Sequence, residues 1–388
     1  MKREGVTARA HSSSGRGREM PAGRARSHGA TERKGVYNRY VKLQAGGAAM
    51  ALPSLEKAVR NMALDPGDQP LVIADYGSSQ GKNSLAPIRV AIRILRERTG
   101  PSRPIFVFHV DQPSNDFNAL FDVLDTDPNR YTLDEPNVFP CAIGRSFYGN
   151  VLPPDHVYLG WSSYAAVWLS RLPTLIPGHF FIPHSTGAVR AKFDRQGAQD
   201  WEAFLSLRAT ELRAGGRLVV VLPALDDDGS SKFQGLMDHA NAVLAEMVDE
   251  GAILADERAR MVLGAYPRRR QDLLAPFIHD GQFRHLIVEH CDTFVLPDAV
   301  WADYERYGDK EALATTRALF FRSTFAPSLV TARTRAGDAG ACRVFANRLE
   351  DGLKRRRLVN HPAPLHHLVG TIVLAKRGSR GTDQPPPR

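Results

Sequence analysis

Cysteine is scarce: the 388 residues hold three, Cys141, Cys291 and Cys342, far apart and with no CxxC pair. That spacing argues against a disulfide framework or a structural zinc site and fits a reducing compartment, the cytoplasm by default. Long apolar runs are missing too. The longest, Leu218 to Leu225, is interrupted by Pro223 and falls far short of the roughly 20 residues that cross a bilayer. Net charge is missing from the body of the chain. Of the formal +9, six lie in residues 1–35 and three in residues 376–388. A nucleic-acid enzyme would be expected to carry its basic patch on the folded body, so no nucleic-acid partner is expected. The 32 Gly and 26 Pro follow no period, which excludes a fibrous repeat. What is present, 43% hydrophobic against 24% charged residues, suffices to bury a full core.

Residues 1–34 are rich in Arg, Ser, Gly and Ala with almost no large apolar side chain, which predicts a disordered basic arm. The segment 378–388 predicts a disordered tail. Between them strands and helices alternate. Leu71–Ala74 reads as a strand and Leu85–Arg98 as a helix with Leu85, Ile88, Ile92 and Leu95 on one face. Ile105–Val110, Val138–Ile143, Val157–Trp161 and Arg217–Leu222 read as further strands, the last preceded by a helical stretch, Gln199–Leu212, that Gly215-Gly216 should stop. This alternation predicts a doubly wound α/β sheet over 35–225. A mostly helical cap should follow over 226–350, with a core strand near 286–296, before 351–377 returns to the sheet.

The loop after the first strand selects the ligand class. In Asp75-Tyr76-Gly77-Ser78-Ser79-Gln80-Gly81-Lys82-Asn83 two glycines let a ligand approach the backbone. The loop is neither GxGxxG nor GxxxxGK[ST]. It begins instead with an acid, which repels a pyrophosphate and attracts a cation such as the sulfonium and amino group of S-adenosylmethionine (SAM). The second strand ends in Asp111, where nucleotide-binding sheets present an acid to ribose hydroxyls. A plainer reading makes Asp75 a helix cap and Asp111 a cap of the turn Gln112-Pro113-Ser114-Asn115.

The blocks IADYGSSQGKNSL (73–85), DQPSNDFNALF (111–121), GRSFYGNVLP (144–153), WSSYAAVWLSRLP (161–173) and FLSLRATELRAGGRLV (204–219) resemble, in this order, the SABATH family of small-molecule methyltransferases. Members methylate carboxylates of the salicylate, benzoate or jasmonate kind, or ring nitrogens of caffeine-type alkaloids. The resemblance implies a class I SAM-methyltransferase (Rossmann-like) sheet with a helical cap over the active site. It places Asp75, Gly77, Asp111, Gln112, Ser146, Phe147 and Tyr164 on the SAM side, with Asp111 on the ribose and Gln112 and Phe147 flanking adenine. It implies that Gln44 and Trp168 position the substrate carboxylate, in a pocket with Tyr37, Val167, Met237 and Tyr266. Trp161 stands where the family usually has His, and Val41 where it has Ser.

The activity implied is methyl transfer from SAM to the carboxylate of a small organic acid, in the cytoplasm, with a homodimer as the assembly and no membrane partner. A carboxylate is already ionised at neutral pH, so two neutral donors can orient it without a base. A ring nitrogen or phenol acceptor would call for a base, with His239 the first suspect. Two other classes compete: a nicotinamide oxidoreductase, whose glycine fingerprint is missing, and an inactive SAM-binding protein. His366-His367 has no third partner at metal-ligand spacing, so no metal site is expected, and Arg268-Arg269-Arg270 reads as a solvated loop.

Overall fold

The computed structural model describes residues 42–231, 233–359 and 362–378. The basic arm, Tyr37, Val41 and nearly all of the tail lie outside the described residues. Five strands run parallel: β1 (Leu71–Tyr76), β2 (Ile105–Asp111), β3 (Val138–Gly144), β4 (Val157–Ser163) and β5 (Leu212–Pro223). Their spatial order is β3-β2-β1-β4-β5, so the winding reverses between β1 and β4. The carboxyl ends of β1, β2 and β4 therefore open a crevice, and the chain puts Asp75, Asp111 and Ser163 at them.

A parallel sheet must be covered on both faces, and the apolar spacing supplies the covers. On one face α1 (Lys42–Met50), α2 (Leu52–Asn61) and α3 (Leu85–Thr99) bring Leu55, Val59, Ile88, Ile92 and Leu95 against Ile73, Ile105 and Val107. On the other, α4 (Phe117–Thr126) is absent and the long α5 (Gly187–Glu211) lays Trp201, Phe204 and Leu205 against Tyr76, Val220 and Leu222. The expected stop at Gly215-Gly216 is not one: α5 ends at Glu211 and passes directly into β5, with the glycine pair inside the strand. Leu212 ends the helix by turning extended and burying its side chain. Gly215, at φ +79°, sits so close to Ala63 that a Cβ would lie 2.4 Å from the Ala63 methyl.

Past β5 come α6 (Gln234–Asp249), α7 (Ala255–Arg260) and α8 (Arg270–Leu274), then β6 (Gln282–Phe283) and β7 (Leu286–Leu296). Next follow α9 (Ala299–Tyr307), α10 (Lys310–Thr324), α11 (Ala326–Val330) and α12 (Ala339–Val359), and finally β8 (His367–Lys376). The last strand pairs antiparallel with β5 and β7, extending the sheet as β5-β8-β7-β6. In the cap α6, α10 and α12 share a second core of Leu236, Ala240, Leu244, Phe321, Phe345 and Leu349. The i, i+4 spacing of these residues makes each helix amphipathic. No described helix is long and apolar enough to cross a membrane.

Candidate functional site

The turn after β1 is left-handed at Gly77 (φ +89°), Ser79 (φ +49°) and Gly81 (φ +84°), which bends the chain sharply into α3. Gly77 also has no room for a side chain: a Cβ would lie 2.0 Å from that of Ala165. Asp75, Gly77, Ser78, Ser79, Gly81, Lys82, Asn83, Ser84 and Ser163 line a small cavity there. The buried hydroxyls of Ser78 and Ser163 find no hydrogen-bond partner among the described residues, and a ligand with polar groups would satisfy them. Asp75, 1% exposed, accepts on Oδ2 from Ser84 Oγ at 2.6 Å and faces His109 Nδ1 at 2.9 Å. Asp111 accepts from the backbone N–H of Ser79 (2.6 Å) on Oδ2 and of Gln112 (2.7 Å) on Oδ1. Asp111 thus bears out the plainer turn-capping reading in part, whereas Asp75 caps no helix N–H among the described residues, its partners being side chains. A carboxylate has about four acceptor positions, so each keeps capacity for a ligand. Burial pushes the Asp111 carboxyl up to about 6, against the pull of the two N–H bonds and with a further push from Asp75.

The connection from β3 to β4, residues 145–156, contains no helix and is held instead by two buried ions that sequence reading missed. Arg208 on α5 donates to the carbonyls of Phe147 (2.8 Å) and Gly149 (3.3 Å) and to Glu211 Oε1 (2.8 Å). Glu211 also accepts from the N–H groups of Val151 and Leu152 and from Tyr76 Oη at 2.7 Å. Phe147 is thereby buried, edge-on to Phe204 at 5.8 Å. Ser146 and Gln112 are half-buried in neighbouring turns. Tyr148 reaches across and donates to the Trp168 carbonyl at 2.7 Å. The SFYG and SSYxxxWLS blocks are therefore joined by a direct bond.

A second cavity, about 90 Å³, lies between sheet and cap. Gln44, Tyr164, Val167, Trp168, Met237 and Thr324 line it with Phe233 and His367. Gln44 is 4% exposed; its Nε2 makes only a long 3.5 Å contact to Thr324 Oγ1, and its Oε1 is buried with no partner. Among the described residues the Trp168 indole N–H has no partner, and no Asp, Glu, Lys or Arg lines the cavity. Tyr164, expected on the SAM side, lines this cavity, held in a left-handed conformation (φ +57°) with its N–H on the Val221 carbonyl at 2.7 Å.

Three expectations need correction. Tyr266 does not line the cavity: its neighbours Ala265 and Pro267 do, while its hydroxyl points away to Asp194 Oδ1 at 2.7 Å. Arg268 is not solvated but 1% exposed, donating to the carbonyls of Ala166 (2.7 Å) and Gly197 (3.1 Å). His239 is half-buried on α6 and does not line the cavity. The histidine that does is His367, whose Nε2 meets Tyr164 Oη at 3.0 Å and whose ring stands edge-on to Phe233 at 4.8 Å. Burial pushes the His367 imidazole down to about 3.

His179, His184 and Asp238 also cluster at metal-ligand distance. The imidazoles are stacked at 4.0 Å and only 14° from parallel, so no nearby point lies in both ring planes, as an ion bound to both would require. His179 Nδ1 accepts the Phe181 N–H at 2.9 Å, which leaves the proton of the neutral ring on Nε2.

Residues 26–357 match the family model described as SAM dependent carboxyl methyltransferase. The chain is 31% identical to "Methyltransferase LUC1" of a Fusarium species over 246 residues, 62% of this chain and just under two thirds (64%) of that protein. It is 28% identical to the salicylate carboxymethyltransferase of Clarkia breweri over 295 residues, 72% of this chain and 78% of that one. A solved loganic acid methyltransferase with SAH shares the fold, with a TM-score of 0.68 at 21% identity, covering 90% of this chain and 99% of that chain.

Proposed function

The chain belongs to the SABATH family of SAM-dependent carboxyl methyltransferases, enzymes that use SAM to methylate small organic acids, and from that premise we propose how this one works. It holds the acceptor carboxylate between the Gln44 amide and the Trp168 indole N–H and esterifies it. The observation that carries this reading is the acceptor cavity itself: among the described residues no charged side chain lines it, and the Gln44 amide and Trp168 indole N–H are left without a good protein partner.

Bound SAM supplies an electrophilic methyl group on a sulfonium. The residues of the chain do the rest by position. Asp111 and Asp75 offer carboxylate oxygens to the ribose hydroxyls and the cationic end of the donor, while the orphaned hydroxyls of Ser78 and Ser163 fit its remaining polar groups. Phe147 walls the adenine side with Gln112 and Ser146 beside it. Across the crevice, Gln44 and Trp168 aim one carboxylate oxygen, and Val167, Met237, Phe233 and Phe181 exclude water. No proton moves, because the acid arrives ionised. His367 is a poor base at a value near 3, which disfavours an acceptor that must first be deprotonated.

Tyr37, outside the described residues, stays part of the proposed pocket by resemblance. The three free cysteines support a cytoplasmic setting. A homodimer belongs to the same proposal and is tested by sedimentation. The decisive experiment incubates the enzyme with methyl-labelled SAM and a panel of aromatic and aliphatic acids, xanthines and phenols. Label in a methyl ester is the expected result; transfer to nitrogen or phenol alone, or to nothing, overturns the reading.

A further inference from the structure

Behind the donor cavity lies a buried chain of hydrogen bonds that the methyl transfer does not itself use. Asp75 and His109 are register partners on β1 and β2, and both are buried, at 1% and 0% exposure. His109 Nδ1 stands 2.9 Å from Asp75 Oδ2, and His109 Nε2 stands 2.8 Å from Tyr131 Oη. Tyr131 is 1% exposed and stacks on the imidazole at 5.9 Å. Its turn is tied back to α4 by Thr132 Oγ1, which donates to the Leu124 carbonyl at 2.9 Å.

Only one arrangement of protons satisfies every member while Asp75 is ionised. A carboxylate accepts only, so His109 must donate from Nδ1. The neutral ring then accepts on Nε2, and the Tyr131 hydroxyl fills that place as donor. Ser84 Oγ donates to the same Oδ2 at 2.6 Å. One oxygen of Asp75 is thus consumed, and the other, Oδ1, has no partner among the described residues while Asp75 lines the cavity.

We propose that His109 and Tyr131 are positioning residues for the methyl donor: they hold the Asp75 carboxylate turned so that Oδ1 faces the cationic amino-acid end of SAM. The proposal rests on Asp75 lying on the donor side. Its test measures the dissociation constants of SAM and of 5′-methylthioadenosine, which keeps the nucleoside and lacks the amino-acid end and the sulfonium. Four proteins are compared: wild type, His109→Phe, His109→Asn and Tyr131→Phe.

Losing a donor to a charged group should weaken SAM roughly tenfold in His109→Phe and leave methylthioadenosine within about twofold. His109→Asn, whose amide N–H can replace Nδ1–H, should recover most of the loss. Tyr131→Phe should cost about threefold. Equal losses for both ligands would mean general damage to the sheet and would overturn the proposal. So would an Asn variant no better than Phe, or an unchanged SAM affinity in His109→Phe. A wild-type protein that binds no SAM would instead remove the donor assignment on which the proposal stands.

Discussion

Two cavities meet at the peptide between Ser163 and Tyr164. Ser163 faces the first, built from backbone turns, the Asp75 carboxylate, hydroxyls unpaired among the described residues, and Lys82, whose charge Asp127 meets. Tyr164 faces the second, which has apolar walls, neutral polar groups and, among the described residues, no charged side chain. Charge is placed where the proposed ligand is cationic and withheld where it is anionic. An arginine against the acceptor carboxylate would bind it more tightly than two neutral donors do. It would also stabilise a charge that disappears as the ester forms, favouring the ground state over the transition state. Neutral donors orient the acid at a smaller cost in nucleophilicity.

That contrast can be broken by adding charge to the neutral side. Gln44→Glu keeps the shape but puts a carboxylate against the acceptor and removes a donor. It should lower kcat/KM on the acid by at least about 100-fold while SAM affinity stays near wild type; full activity would remove Gln44 from the clamp. Trp168→Phe keeps most of the apolar surface and removes only the N–H, so kcat/KM should fall roughly 10- to 100-fold, again with little change in SAM binding. On the charged side, Asp111→Ala should weaken SAM about tenfold by calorimetry, and unchanged affinity in a folded variant would exclude Asp111 from the ribose site.

The smallest effect is the pH response of that carboxyl. Burial raises it from 3.8 to about 6, so the ligand-free protein binds its proton more tightly folded than unfolded. The stability this gives is present below about pH 4 and is lost as pH rises through 6. Ligand hydroxyls favour the ionised form, so SAM affinity should move the other way, improving a few-fold between pH 5 and 7 and then levelling. Asp111→Asn should flatten both profiles.

The five parallel strands were legible because each is a short apolar run bounded by turn residues, and Asp75 and Asp111 because an acid followed at once by a turn marks a strand's carboxyl end. The antiparallel order of β8, β7 and β6 was not, since it is set by partners far apart in sequence. Gln44 and Trp168 were nameable through their motifs, yet the cavity's third polar wall was not. His367 lies in a His-His pair whose neighbours say nothing about which side faces inward. Buried ions were misread for a related reason. Arg268 sits in a triple-arginine run that composition alone assigns to water, whereas the backbone carbonyls of Ala166 and of Gly197 on α5 draw it inside. Arg208 and Glu211 left one usable sign, an ion pair three residues apart on the apolar face of a helix.

The hydroxyl of Tyr148 on the carbonyl of Trp168 bears on the order in which ligands arrive. Phe147, proposed to stand beside the adenine, and Tyr148 are consecutive residues of one pinned loop, so settling that loop also settles the backbone that carries the proposed acceptor indole. A donor that binds first then meets an acid at a finished clamp. Linkage makes the relation mutual: whatever factor the donor adds to the acid's affinity, the acid returns to the donor. Cutting that single bond with Tyr148→Phe would let the two ligands bind as strangers.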